Sequence, residues 1–365
     1  MLRISWLCLL GACAAALSIS YGDVITHSRF ESSGLMGLAA FKSENETRQS
    51  ADKRDDRGRT FFTGAMMKFL SGKKGLEGRT ITRLDKELVW SLNPKEKEYT
   101  EMTFTEQREA LDRGLANLQG QGPDNKGSVP YKTSGEPTLM VETTGKTFSV
   151  SGYEGKQAIA TMRMPYFDST QNRMDTLVLK YDAYLASDSK LSKEFGAFNK
   201  AYAAKMKMDL DHFHGLEVMY RYFEKPMTRM GDKLAKLGDV PLKFTFTLMK
   251  PMPPPAPQKE GESAKAPKKD EGSDVRVPTS AGDAAGQALG SAFGFFKKKK
   301  EKADAEKSET ARAEKGIPQG WIEISSGSFE YTDIKLESAK AEDFDLPKDF
   351  KKKENAAVAA KADKD

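Results

Sequence analysis

The chain has 365 residues, 38% of them hydrophobic and 30% charged, with a mean hydropathy of -0.61. Its formal net charge of +5 is small and evenly mixed in sign, which excludes the concentrated basic surface of a nucleic-acid binder. So high a share of charge also argues against one packed core running the whole length, so part of the chain is expected to remain unfolded.

Residues 1–22 read as a secretory signal peptide. Arg3 supplies the basic start, residues 4–17 the apolar run, and Ser18 and Ser20 the small residues before cleavage. The run is too short to span a membrane comfortably. The expected location is therefore outside the cytoplasm, in the periplasm or cell envelope. Both cysteines, Cys8 and Cys13, fall in this segment, so the mature chain is expected to have no disulfide, no thiol nucleophile and no Cys-ligated metal. Lipidation of Cys13 in Leu10-Gly11-Ala12-Cys13 is the open alternative, although Gly11 fits that motif poorly.

A first strand is expected over residues 23–30, and a turn at 34–37. Residues 41–62 carry charges at period two (Lys42, Glu44, Glu46, Arg48) and suit solvent-facing strands joined near 51–55. Residues 64–70 suit an apolar loop or short helix. The clearest local signal is the stretch 79–103. Thr80, Thr82 and Leu84 alternate with Ile81 and Arg83, and Leu88, Trp90 and Leu92 alternate with Val89 and Ser91. Polar breaks at 85–87 and 93–96 make this a three-strand antiparallel meander, apolar on one face and charged on the other. Thr103 and Glu106 then form a capping box for a helix with Leu111, Leu115 and Leu118 on one face, closed by Gly120.

Residues 121–136 read as a linker. Strands follow at 137–142, 148–150, 157–164 and 175–182, with turns at Gly145 and Gly152. Asp188 can cap a second helix bearing Leu191, Phe195, Phe198, Tyr202 and Met206 at helical spacing. A third helical pattern through Leu216, Met219, Tyr220 and Phe223 is kinked or ended by Pro226, and Met227, Met230, Leu234 and Leu237 continue it. Residues 241–249 alternate as a strand. Residues 251–316 hold 13 basic and 11 acidic side chains and almost no large apolar ones, so they are expected to form a disordered insert. A last long strand or hairpin spans 321–336. Phe344, Leu346, Pro347 and Phe350 can staple down the end, ahead of a solvated tail over 351–365. Strands and helices are grouped and do not alternate. The expectation is one α+β domain with an antiparallel sheet, built from 23–250 and 317–350.

Residues 81–90 (ITRLDKELVW), with Leu92-Asn-Pro-Lys95, Tyr99-Thr-Glu-Met102, Val150-Ser-Gly-Tyr153 and the 344–350 closure, resemble an exported bacterial family known only as domain of unknown function 4412. That family is similar in fold to the envelope lipoprotein localisation factors. The resemblance implies a strongly curved antiparallel sheet, an incomplete barrel, with helices in its concave face and acyl chains as cargo. The insert departs from that pattern.

Catalytic signals are absent: there is no phosphate loop, no G-x-S-x-G elbow and no H-E-x-x-H motif. Asp209-Leu-Asp211-His212-Phe-His214 has metal-ligand residue types, but the surrounding pattern is helical or loop and reads as a polar helix start. His27 has no evident acidic partner. A non-enzyme without cofactor or metal is expected, binding a lipid or lipoprotein as a monomer. The candidate ligand contacts are Trp90, Phe195, Phe198, Tyr202, Met206, Met219, Tyr220 and Phe223, because flexible thioethers beside aromatics suit a variable apolar cargo. Ordinary core filling between helix and sheet is the competing reading. An envelope interaction protein, with insert and tail as contact surface, is the other functional alternative. Within the insert, Phe293, Phe295 and Phe296 precede Lys297 and Lys298. That arrangement suits weak attachment to an anionic bilayer, set against docking on the protein's own body.

Overall fold

A computed structural model describes residues 23–35, 40–63, 75–118, 131–168, 172–207, 224–252 and 317–354. Most of these residues are strand. The first six strands are β1 (Val24–Leu35), β2 (Phe41–Gln49), β3 (Lys53–Phe62), β4 (Leu76–Arg83), β5 (Leu88–Asn93) and β6 (Glu98–Thr103). Helix α1 (Phe104–Leu118) follows directly. Next come β7 (Tyr131–Thr133), β8 (Thr138–Val150), β9 (Tyr153–Asp168) and β10 (Arg173–Ala186). Helices α2 (Ser189–Met206) and α3 (Glu224–Ala235) precede β11 (Val240–Pro251), β12 (Trp321–Leu336), a 3-10 turn at Ala341–Phe344 and β13 (Lys351–Lys352).

All thirteen strands join one unclosed sheet, in the order β13-β6-β5-β4-β3-β2-β1-β12-β11-β10-β9-β7, with β8 also paired to β9. Every pairing is antiparallel except that of β13 with β6. The chain returns after residue 316 to the middle of the sheet, where β12 sits between β1 and β11. Pro251 pairs with Trp321, and the Met252 amide donates to the Gly320 carbonyl at 2.7 Å. The expected insert therefore leaves and re-enters the sheet at facing positions of one hairpin. Its residues 253–316 lie outside the described set.

Two expectations of local structure are corrected. Gly145 does not separate two strands. It sits at positive φ in a register irregularity within β8, between Thr143 and Thr147, because a bulge absorbs extra residues without ending the ladder. Pro226 lies in the first turn of α3, where a missing N–H is tolerated, and the upstream pattern it was expected to kink or end lies outside the described residues. The start of the expected tail is not wholly solvated, since Lys351 and Lys353 donate their amides to the Lys97 and Tyr99 carbonyls. The capping box and the N-cap read from sequence are in place. Thr103 and Glu106 exchange hydrogen bonds, and Asp188 accepts from the Leu191 amide at 2.8 Å. The expected elements at 64–70 and 216–223 lie outside the described residues.

The main core lies between the three helices and one face of the sheet. Period-two alternation on β9, β10 and β11 directs Ala158, Ala160, Met162 and Met164, then Leu179, Tyr181 and Ala183, then Phe244, Phe246 and Leu248 to that face. Phe104 of α1, Phe198 and Met206 of α2, and Met227, Met230 and Leu234 of α3 cover them. Gly327 of β12 faces Phe246, whose ring lies where a side chain would stand. A Cβ there would meet Phe246 Cε1 at 2.5 Å and the Glu31 carbonyl oxygen at 2.9 Å.

Two outcomes follow. Gly327→Ala is expected to destabilise by about 1–3 kcal/mol, because the Glu31 backbone cannot give way; urea unfolding measures it. Replacing residues 253–316 with a short Gly/Ser link is expected to leave the melting temperature within a few degrees. The ends are already paired, and each doubling of loop length changes closure by only about 0.6 kcal/mol. A drop larger than that would mean the segment packs on the sheet.

Candidate functional site

The two faces of the β1–β5 half do different things, and β3 makes the division plain. Its neighbours Asp55 and Asp56 point to opposite sides, as successive strand residues must. On the side away from the helices, Asp55 is fully buried. Arg79 of β4 grips it through Nε at 2.7 Å and a terminal nitrogen at 3.2 Å, and Arg57 Nε adds a contact at 2.7 Å. Arg57 reaches on to Asp343 at 3.0 Å, which Arg48 also holds at 2.6 Å. Arg79 donates to the Asp343 carbonyl at 2.6 Å. Arg83 donates to the Phe344 carbonyl at 3.1 Å and the Asp345 carboxylate at 2.9 Å. Four arginines from three adjacent strands thus clamp the 3-10 turn to the sheet.

Beside this clamp, Ile81, Trp90 and Leu92 form a small cluster closed by Leu88, Tyr99, Leu346 and Phe350. Trp90 donates to Glu101 at 2.8 Å and lies under the Lys86 ammonium. Trp90 therefore does not join the expected ligand contacts on α2. Its strand neighbour Val89 faces the helices, and Trp90 faces the C-terminal strap. The expected split of the meander into an apolar and a charged face also fails, because Ile81 and Trp90 share theirs with Arg79 and Arg83.

On the helix side, the structure brings together Phe198, Tyr202 and Met206, with Phe195 at the margin. Phe198 stacks on Tyr202 at 6.0 Å, Phe104 meets Tyr202 edge-on at 5.7 Å, and Gln107 donates to the Tyr202 hydroxyl at 3.1 Å. Met162 and Met164 of β9, Met206 of α2, and Met227 and Met230 of α3 are each no more than 1% exposed. These residues fill the space between helices and sheet. Met219, Tyr220 and Phe223 lie outside the described residues, as do Asp209, Asp211, His212 and His214, and Phe293, Phe295, Phe296, Lys297 and Lys298.

Where α2 passes over β1–β3 the packing changes character. A cavity of about 60 Å³ is lined by Val24, Thr26 and Ser28 of β1, Thr47 and Gln49 of β2, Arg54 of β3, Phe195 and Asn199 of α2, and Phe329 and Tyr331 of β12. Gln49 donates to the Glu194 and Phe195 carbonyls at 3.2 and 3.3 Å, which ties α2 to the sheet. Asp56 accepts from Arg54 Nε at 2.9 Å and from the Thr47 hydroxyl at 2.6 Å. Burial pushes the Tyr331 hydroxyl well above its ordinary pKa. The Arg54 charge opposes that rise and the Asp56 charge adds to it. The cavity was not legible in the sequence, since its polar residues come from five separate segments.

Among the described residues, no group of three or more His, Cys, Asp or Glu side chains is placed to hold a metal, and no helix is long and apolar enough to cross a membrane. His27 does have acidic neighbours: Glu46 at 3.5 Å and Asp333 at 3.9 Å, supplied by the flanking strands β2 and β12. No family model, no curated protein and no solved structure matches this chain.

The clamp makes the C-terminal strap acid-sensitive. Burial pushes the Asp343 carboxyl up, but the Arg48 and Arg57 guanidiniums outweigh it and hold it below the ordinary carboxylate value. Lys352, then the Trp90 indole, lower Glu101 in the same way. Groups depressed on folding stabilise fully above their unfolded pKa, about 4, and lose that contribution as pH falls toward the folded value. Trp90 fluorescence, read with Trp6 and Trp321 both replaced by Phe, is expected to shift to the red below about pH 4. Asp343→Asn is expected to move that change to higher pH.

Proposed function

We propose that this chain is an exported envelope protein that binds an apolar ligand, a lipid or acyl chain, in the seam between α2, α3 and the sheet, without catalysing a reaction on it. The reading takes the sheet as curved, with the helices in its concave face. One observation carries it: five methionines, Met162, Met164, Met206, Met227 and Met230, converge in that seam, each no more than 1% exposed. Unbranched thioethers repack with little strain, so such a seam can open around an apolar chain and close again without one. Leucine or phenylalanine would give a stiffer core of the same area. The aromatic wall of Phe198, Tyr202 and Phe104 continues the seam toward α1.

The space present is small. A cavity of about 60 Å³ falls short of the roughly 300 Å³ or more of a small-molecule site. Ligand entry therefore requires α2 or α3 to move away from β9, and the only chain joining those helices is residues 208–223.

Native mass spectrometry of protein purified from its own host is expected to reveal co-purifying acyl species. N-phenyl-1-naphthylamine is expected to gain fluorescence on binding to stripped protein. Met227→Ile with Met230→Ile conserves volume, so each change should cost under about 1.5 kcal/mol, while dye uptake falls several-fold because β-branched residues cannot repack. A bare apo mass together with no dye uptake by the wild-type chain would overturn the reading.

A further inference from the structure

The cavity under α2 contains more hydrogen-bonding capacity than the protein uses. Thr26 is 3% exposed and Ser28 7%, and their hydroxyls, with that of Tyr331, have no hydrogen-bond partner among the described residues. The Arg54 contacts to Asp56 run through Nε, which leaves its two terminal nitrogens uncommitted. These groups border the cavity and are not among the fully enclosed unpartnered atoms, so an acceptor supplied from outside the chain can reach them. One wall is apolar. Phe195 meets Tyr331 edge-on at 5.5 Å, Tyr331 meets Phe329 at 4.8 Å, and Phe329 stacks on Phe244 of the main core at 5.1 Å. Ring contacts thus link this wall of the cavity to Phe244 in the core that holds the methionines.

Its electrostatics select among polar ends. Among the described residues Arg54 is the only cation lining the cavity, and the Asp56 carboxylate already neutralises it across a 2.9 Å contact. A second anion would share Arg54 with Asp56 and lose its hydration, while a neutral carbonyl would accept from the same donors at much smaller desolvation cost. The raised pKa of Tyr331 reports the same hostility to added negative charge.

We infer that Thr26, Ser28, Arg54 and Tyr331 form a headgroup site that takes the uncharged, carbonyl-bearing end of an amphiphile, such as an acyl ester, in preference to a phosphate or free carboxylate. This rests on the ligand reading above, and the test separates the two. Displacement of N-phenyl-1-naphthylamine from stripped, full-length protein is measured with 1-myristoylglycerol, myristate and myristoyl-lysophosphatidate, which share one chain length. The glycerol ester is expected to displace dye at about tenfold lower concentration than either anion, the ratio that roughly 1.4 kcal/mol of discrimination gives. Tyr331→Phe removes one donor from the cavity and should weaken the ester about fivefold, one hydrogen bond's worth, with the dye's own affinity and the melting temperature unchanged. Arg54→Met combined with Asp56→Leu removes the pair together and leaves no lone charge; it should weaken the ester several-fold by removing the terminal guanidinium donors, while the anions stay at least as disfavoured.

Equal displacement by ester and anions, or an ester affinity untouched by both variants, would overturn the headgroup site while leaving apolar binding intact. Tighter displacement by the anions would reverse the assignment of charge. Absence of dye and ester binding in the wild type would bring down the ligand reading and this inference with it.

Discussion

The fully buried Asp55 carboxylate is the constraint on which this half of the molecule turns. A lone carboxylate in that position would be strongly destabilising, and burial is tolerated because two guanidiniums approach to 2.7 Å. Those guanidiniums belong to β3 and β4, so the requirement fixes the register of the two strands as well as their side-chain rotamers. Arg57 and Arg79 have further donors, and these have to go somewhere. Asp343 and its carbonyl take them, which draws the chain beyond β12 back across β2, β3 and β4. Closure by the strap is thus a consequence of satisfying one buried acid. Parallel pairing of β13 with β6 and the packing of Leu346 and Phe350 against Trp90 are built on that closure.

The opposite face follows another rule. There the helices rest on alanine, methionine and aromatic side chains, and nothing in the seam demands a unique arrangement as the arginine clamp does. Hydrogen bonds fix directions and tolerate little error, whereas thioether packing is non-directional and adaptable. Directional contacts are therefore concentrated on the strap side and non-directional packing on the helix side. Gln49 is the exception, a buried amide that holds α2 by its own backbone carbonyls. It stands beside the small polar cavity, so the point where α2 is pinned and the point where a polar group can be received are neighbours.

Local order was readable from the residues because it depends on neighbours along the chain. The 79–103 meander, the capping box at Thr103, the Asp188 cap and the strands of 241–249 and 321–336 follow from side-chain period and cap chemistry alone. So does the grouping of Phe198, Tyr202 and Met206, which lie on one face of one helix. That 317–350 belongs with the sheet was implied by the apolar pattern on both sides of the insert; that β12 enters between β1 and β11 was not. That the insert is the loop of a β11–β12 hairpin was not, since hairpin recognition relies on a short turn.

What the tertiary structure alone decided is which face each strand presents and to what. Period two says that Trp90 and Val89 diverge, but not which of them meets the helices; the structure turns Val89 to the helices and Trp90 to the strap. The charges of β2–β4 looked like solvent-facing alternation, because an arginine in a strand is equally compatible with water and with a carboxylate nearly three hundred residues away. Arg57 with Asp343 is such a pair, and His27 between Glu46 and Asp333 is another. The cavity of Thr26, Ser28, Arg54 and Tyr331 belongs to the same class: each residue is ordinary in its own segment. Only strand register and the seating of α2 turn them into a shared enclosure, since proximity across a sheet is set by pairing and not by distance along the chain.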